Sequence, residues 1–172
     1  EIEGVSVLNT VIRGGSEAGA PAQMDGVRAL GDGQFEQCLI QGWNAGVVLE
    51  QGRLTISECD VLNNAVGLRF EANGTATARM EALGIELLNI GGDAIVVTAA
   101  ESGDSLLLSS CTGRLHRHSL RFDVPVEYAI VDNAFTKAER HVEGVSNDAR
   151  IELCAQNAFS APDLFVVGCM DE

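Results

Sequence analysis

Aromatic residues are scarce: Phe, Trp and Tyr together make up 5% of 172 residues, with a single Trp and a single Tyr. Lysine occurs once, at Lys137, and basic residues total 11 against 25 acidic ones, for a formal charge of −14. That excess argues against nucleic acid or an anionic membrane as a natural partner and suits solubility, cations or basic partners. No run of 18 apolar residues occurs, and the opening EIEGVSVLNT is neither a membrane span nor a signal peptide. Helical periodicity is weak; the best stretch, TKAERHVEG at 136–144, is brief and lacks a sustained apolar face.

What is present is glycine, at 19 positions, and many short bursts of Val, Ile and Leu broken by Asn and Gly. This composition favours short strands joined by tight turns, in a chain long enough for one domain over 1–172.

The bursts repeat. Around Cys59 lie Ile56, Val61, Gly67, Leu68 and Phe70, and around Cys38 the same offsets hold Phe35, Ile40, Gly46, Val47 and Leu49. Cys111 carries Leu108, Gly113, Ser119, Leu120 and Phe122 at those offsets, so GLRF at 67 and SLRF at 119 are one strand in two coils. Extending the frame gives seven anchors, Thr10, Cys38, Cys59, Glu86, Cys111, Asn133 and Asn157, spaced 21 to 28 residues apart. The spacing wanders while the apolar offsets hold, because insertions collect in turns whereas a one-residue slip in a strand would turn its buried side chains outward. A unit of this length holding two or three short strands cannot bury its own apolar face, and stacking such units makes a parallel β-solenoid.

On LTISECDVLNNAVGLRF at 54–70, FEQCLIQGWNAGVVL at 35–49 and IELLNIGGDAIVV at 85–97, the chain resembles the right-handed parallel β-helix repeat family, the pectate-lyase-like group. The resemblance implies an all-β, right-handed parallel β-helix of about seven coils. Its members include polysaccharide lyases, hydrolases and epimerases, phage tailspikes and surface proteins without catalysis, so fold leaves function open. Strand patterns running to both ends imply a longer chain, self-association or adjoining domains covering the solenoid ends.

Candidate chemistry follows from the repeat. Cys38, Cys59 and Cys111 share an inward offset and read as unpaired core thiols, and a bridge, if formed, is expected between Cys154 and Cys169. His116 and His118, two apart in an extended segment, are expected on one side, where they suit a metal or an acid–base pair; beside Arg114 and Arg117 they also read as a solvent-facing turn. Glu86 at an anchor is either a buried carboxylate of general-acid type or is turned outward by a bulge in its longer coil.

Arg28, Arg69 and Arg121 form an outward row suited to gripping a uronate polymer, with Glu50, Glu71 and Asp123 close enough to neutralise it. Asp60, Asp93 and Asp132 occupy different offsets, so the calcium site of a lyase is not assembled from them. Asn73 heads a formal glycosylation sequon.

The paired aspartates with His-Gly and Arg-x-Lys of polygalacturonases are absent, as is the epimerase Asp-Pro-His-Glu. The expectation is therefore a non-catalytic scaffold or adhesive module of an extracellular or cell-surface protein, without cofactor, with a polysaccharide as candidate ligand. The alternative is a polysaccharide lyase or hydrolase using Glu86, Asp60, Asp132, His116 and His118, with Ca2+ only in the lyase case; a third is a tailspike-like assembly subunit.

Overall fold

Along Gly52–Ser57 the side chains of Leu54 and Ile56 are wholly buried while that of Arg53 is exposed, the period-2 pattern of a strand with one wet face. The computed structural model describes residues 4–14, 23–73, 76–144 and 157–160, and there the pattern recurs in Ser105–Ser109, while Ala45–Leu49 is buried at every position.

The first turn holds β1 (Val5–Leu8), β2 (Val11–Arg13) and β3 (Val27–Ala29). The second holds β4 (Gly33–Glu36), β5 (Leu39–Gln41) and β6 (Ala45–Leu49), and the third β7 (Gly52–Ser57), β8 (Asp60–Leu62) and β9 (Val66–Glu71). The fourth holds β10 (Ala78–Leu83), β11 (Glu86–Leu88) and β12 (Asp93–Ala99). In the fifth, β13 (Ser105–Ser109) precedes β14 (Thr112–Phe122), a long strand that runs through the places of two. Then come β15 (Glu127–Val131), β16 (Ala134–Gly144) and β17 (Ala158–Ser160).

All ladder pairings are parallel, so the described residues form a parallel β-solenoid of about five complete turns, fewer than the expected seven. One sheet stacks β1, β4, β7, β10, β13 and β15, and the other carries the remaining strands, with β14 and β16 spanning its two parts. The stretch 136–144 that held the best helical pattern lies in β16.

Register makes the core a set of columns. Val7, Phe35, Ile56, Ala82, Leu108 and Ile130 stack through the first sheet. Val47, Leu68, Ile95, Leu120 and Val142 stack through the second. Ile40, Val61, Leu87, Gly113 and Phe135 form a third column, in which a Cβ on Gly113 would lie 2.4 Å from the Phe135 ring. The glycine there is the space the aromatic ring occupies.

Two of the three bends in each turn, those before and after the short middle strand, use left-handed backbone. One row comprises Asn9, Gln37, Glu58, Gly84, Ser110 and Asp132, with φ between 48° and 62°. The other comprises Gly42, Asn63, Asn89, Leu115 and Lys137. Asn and Gly tolerate this conformation, whereas Leu115 and Lys137 adopt it at about 1–2 kcal/mol each.

Immediately after the first bend runs a polar ladder. Asn133 Nδ2 donates to the carbonyls of Val131 and Leu108, and its Oδ1 accepts the Cys111 N–H. The Cys111 thiol occupies the same slot, 3.4 Å from the Ser109 carbonyl and 3.3 Å from that of Ala82, and Cys59 Sγ accepts the Cys38 N–H. Cys38, Cys59 and Cys111 are buried free thiols, as expected, while Cys154 and Cys169 lie outside the described residues.

Register corrects one anchor. Glu86 pairs with Asp60 and Thr112, each one residue past its anchor, so Ile85, 1% exposed, fills the slot and follows the left-handed Gly84. Likewise Ala82 and Leu87, three before and two after Ile85, enter the columns of that coil.

Candidate functional site

His116 and His118 both follow the left-handed Leu115, at φ 61°, and they have different partners. The His116 ring enters the core, meeting Phe135 edge-on with centroids 6.1 Å apart, and its Nε2 lies 2.9 Å from Ser119 Oγ. Ser119 Oγ lies 2.9 Å from His141 Nδ1 on β16, the neighbouring rung. All three side chains are 5% exposed or less. One hydroxyl hydrogen serves one ring's lone pair, so the other ring must donate its N–H to the same oxygen. Burial, reinforced by the charge His141 would carry, pushes the His116 imidazole from 6.5 down to about 4.

His118 faces a different set. Its Nδ1 lies 2.6 Å from Asp93 Oδ1, its register partner on β12, and its Nε2 lies 2.9 Å from Glu143 Oε2 on β16. Asp93 also binds Arg121 Nη1 at 2.5 Å, and Arg121 reaches Asp123 at 3.0 Å. A ring with a carboxylate at each nitrogen is satisfied on both sides when both nitrogens carry hydrogen. The expected solvent-facing turn is thus corrected: both histidines are buried, one inside the solenoid and one under a surface ion-pair network.

The remaining expected site residues stay apart. Asp60 and Glu86 are neighbours on an exposed outer row of β8 and β11, and Asp132 is an exposed bend residue with φ 57°. The outward reading of Glu86 holds, through register instead of a bulge. Asp93, grouped in sequence with Asp60 and Asp132, is instead the buried partner of His118 and Arg121. Among the described residues, no group of three or more His, Cys, Asp or Glu is arranged to hold a metal ion. In the arginine row, Arg28 pairs with Asp25 and Glu50, while Arg69 lies in register between Val48 and Val96.

Sequence reasoning missed Glu143, His141 and the role of Ser119, although one signal was available. The offset of eight that leads from Cys59 to Gly67 leads from Cys111 to Ser119 and from Asn133 to His141, so the frame itself puts a hydroxyl and an imidazole in adjacent rungs.

A second polar arrangement lies on the outer face of the first sheet. Arg53 and Arg79 are register partners on β7 and β10, and the Glu81 carboxylate holds both, at 3.0 Å from Arg53 Nη2 and 2.8 Å from Arg79 Nε. Thr55 Oγ1 adds a bond of 3.3 Å. Burial raises the Glu81 pKa, but the hydrogen bond and charge of Arg53 and the charge of Arg79 outweigh it and leave the group below its usual 4.5. The arginine side chains remain 61% and 52% exposed, so each keeps N–H groups facing water.

Comparison with protein-family models, with curated proteins and with solved structures found no match.

Proposed function

We propose that this chain is a non-catalytic, pectate-lyase-like β-helix module of an extracellular or cell-surface protein, whose flat faces hold an extended polysaccharide. The observation that carries the reading is the dispersal of the acid–base candidates. Asp60 and Glu86 ride one outer row, Asp132 makes a bend, His116 is enclosed and His118 is occupied by two carboxylates. General acid–base work needs two such groups converging on one reacting atom. The face supporting glycan binding is that of β7 and β10, where Arg53 and Arg79 stand one rung apart above a fixed carboxylate and can donate to hydroxyl or carboxylate oxygens of a linear sugar.

Titration calorimetry with neutral and uronate oligosaccharides tests this. Binding of at least one class, weakened about tenfold or more by the double substitution R53A/R79A with far-UV circular dichroism unchanged, is the expected result. Absence of binding across the panel overturns the ligand, and turnover of any of these sugars overturns the non-catalytic reading.

A further inference from the structure

The chain has three histidines, and all three lie in the two adjacent strands β14 and β16, each 5% exposed or less. Elsewhere the corresponding slots are filled differently. The row of His116 holds Trp43, Asn64 and Ile90 in earlier turns, and the row of Ser119 and His141 holds Gly46, Gly67 and Ala94. The preceding turn therefore shows that Ile and Ala complete this part of the core without a titratable group.

We propose that the His116–Ser119–His141 bridge is an acid-sensitive latch between β14 and β16, which opens these rungs on mild acidification while the earlier turns stay closed. The shared hydroxyl holds the two rings only while at least one ring offers a lone pair. A proton on each leaves two N–H donors against one oxygen, with two cations side by side in the core.

Around His116, the charged groups of the neighbouring strands are engaged elsewhere. Phe135 faces His116 from the interior, and His118 stands two residues away on the same strand. The nearby carboxylates, Asp93 from β12 and Glu143 from β16, are engaged by His118, with Arg121 also on Asp93. Glu139 of β16 faces Arg117 of β14 at 4.0 Å. A proton on His118 is therefore matched by charge, whereas one on His116 is not.

The sign follows from linkage. The folded-state pKa of His116 lies below the unfolded value, so the open form binds more protons and the closed form loses stability as pH falls from 6.5 toward 4. Between pH 7 and pH 5, where most carboxylates remain ionised, this ring alone shifts the opening equilibrium by about 20-fold.

Hydrogen–deuterium exchange at pH 7 and pH 5, corrected for intrinsic rates, measures this directly. Peptides from β14 and β16 should lose about 20-fold or more protection while those from β7 to β9 lose less than threefold. The single Trp43, in the second turn, should keep its emission. Uniform loss in all turns, or none in β14 and β16, overturns the latch. The triple substitution His116→Ile/Ser119→Ala/His141→Ala, copying Ile90 and Ala94, should abolish the acid response. Independently, His118→Gln should retain it, and loss of the response in that variant would show that the outer network is the trigger.

Discussion

Replacing Asn133 with alanine should destabilise the fold far more than replacing it with cysteine. The amide makes three bonds that hold neighbouring backbone: Nδ2 to the Val131 carbonyl at 2.9 Å and to the Leu108 carbonyl at 3.2 Å, and Oδ1 from the Cys111 N–H at 2.8 Å. Alanine leaves that N–H dry, at about 1–3 kcal/mol, and removes the two bonds donated to carbonyls, worth about 1 kcal/mol each, for roughly 3–5 kcal/mol in all. Cysteine restores most of this, because Cys111 and Cys59 use sulfur in the same slot: Cys111 Sγ reaches the two carbonyls and Cys59 Sγ accepts an N–H. Its expected cost is about 1 kcal/mol, since sulfur bonds more weakly than an amide. Urea titrations followed by far-UV circular dichroism and by Trp43 fluorescence measure both variants, with an unchanged denaturant slope as the check that the same transition is being compared. Equal losses for the two variants, or a loss below about 1 kcal/mol for alanine, would refute the ladder as a source of stability.

Leu115 is 45% exposed at φ 61° in a row shared with Asn63 and Asn89, so Leu115→Asn should raise stability by about 0.5–1 kcal/mol, visible as a higher melting temperature. Burial pushes the Cys59 and Cys111 thiols up to about 11, against an ordinary 9.0. At pH 8 the thiolate fraction is thereby about a hundredfold smaller, and steric closure adds to this. Peptide mapping after iodoacetamide treatment should find both cysteines unmodified in the native protein and alkylated in urea.

Much of the fold was legible because the strand rule is local. Apolar residues two apart around Cys38, Cys59 and Cys111 mark inward positions wherever the coil has no insertion, and the register pairs those coils as the offsets imply. The frame slipped once, at Glu86, where polar or small identity was used to choose the anchor. The physical requirement of that slot is an inward side chain after a left-handed residue, and Gly84–Ile85 meets it as Glu58–Cys59 does. The alternation of Ile85 and Leu87 carries that information.

The site was less legible because its contacts run across rungs. Asp93 and His118 are 25 residues apart and meet through register, and Ser119 and His141 are 22 apart. Reading them requires comparison across coils: Asp93 lies seven residues after Glu86 and His118 seven after Cys111, but nothing within either coil marks the two as partners. The histidine pair failed for a different reason. Both rings are buried with partners from other rungs, and the bend that precedes them is at Leu115, in a conformation that leucine seldom adopts, so no local preference announces it. The aligned row does announce it, since Asn63, Asn89 and Gly42 hold the same place in other turns. In a solenoid the conformation of a residue is inherited from its column, and the column is the level at which both the fold and the chemistry of His116 and His118 become readable.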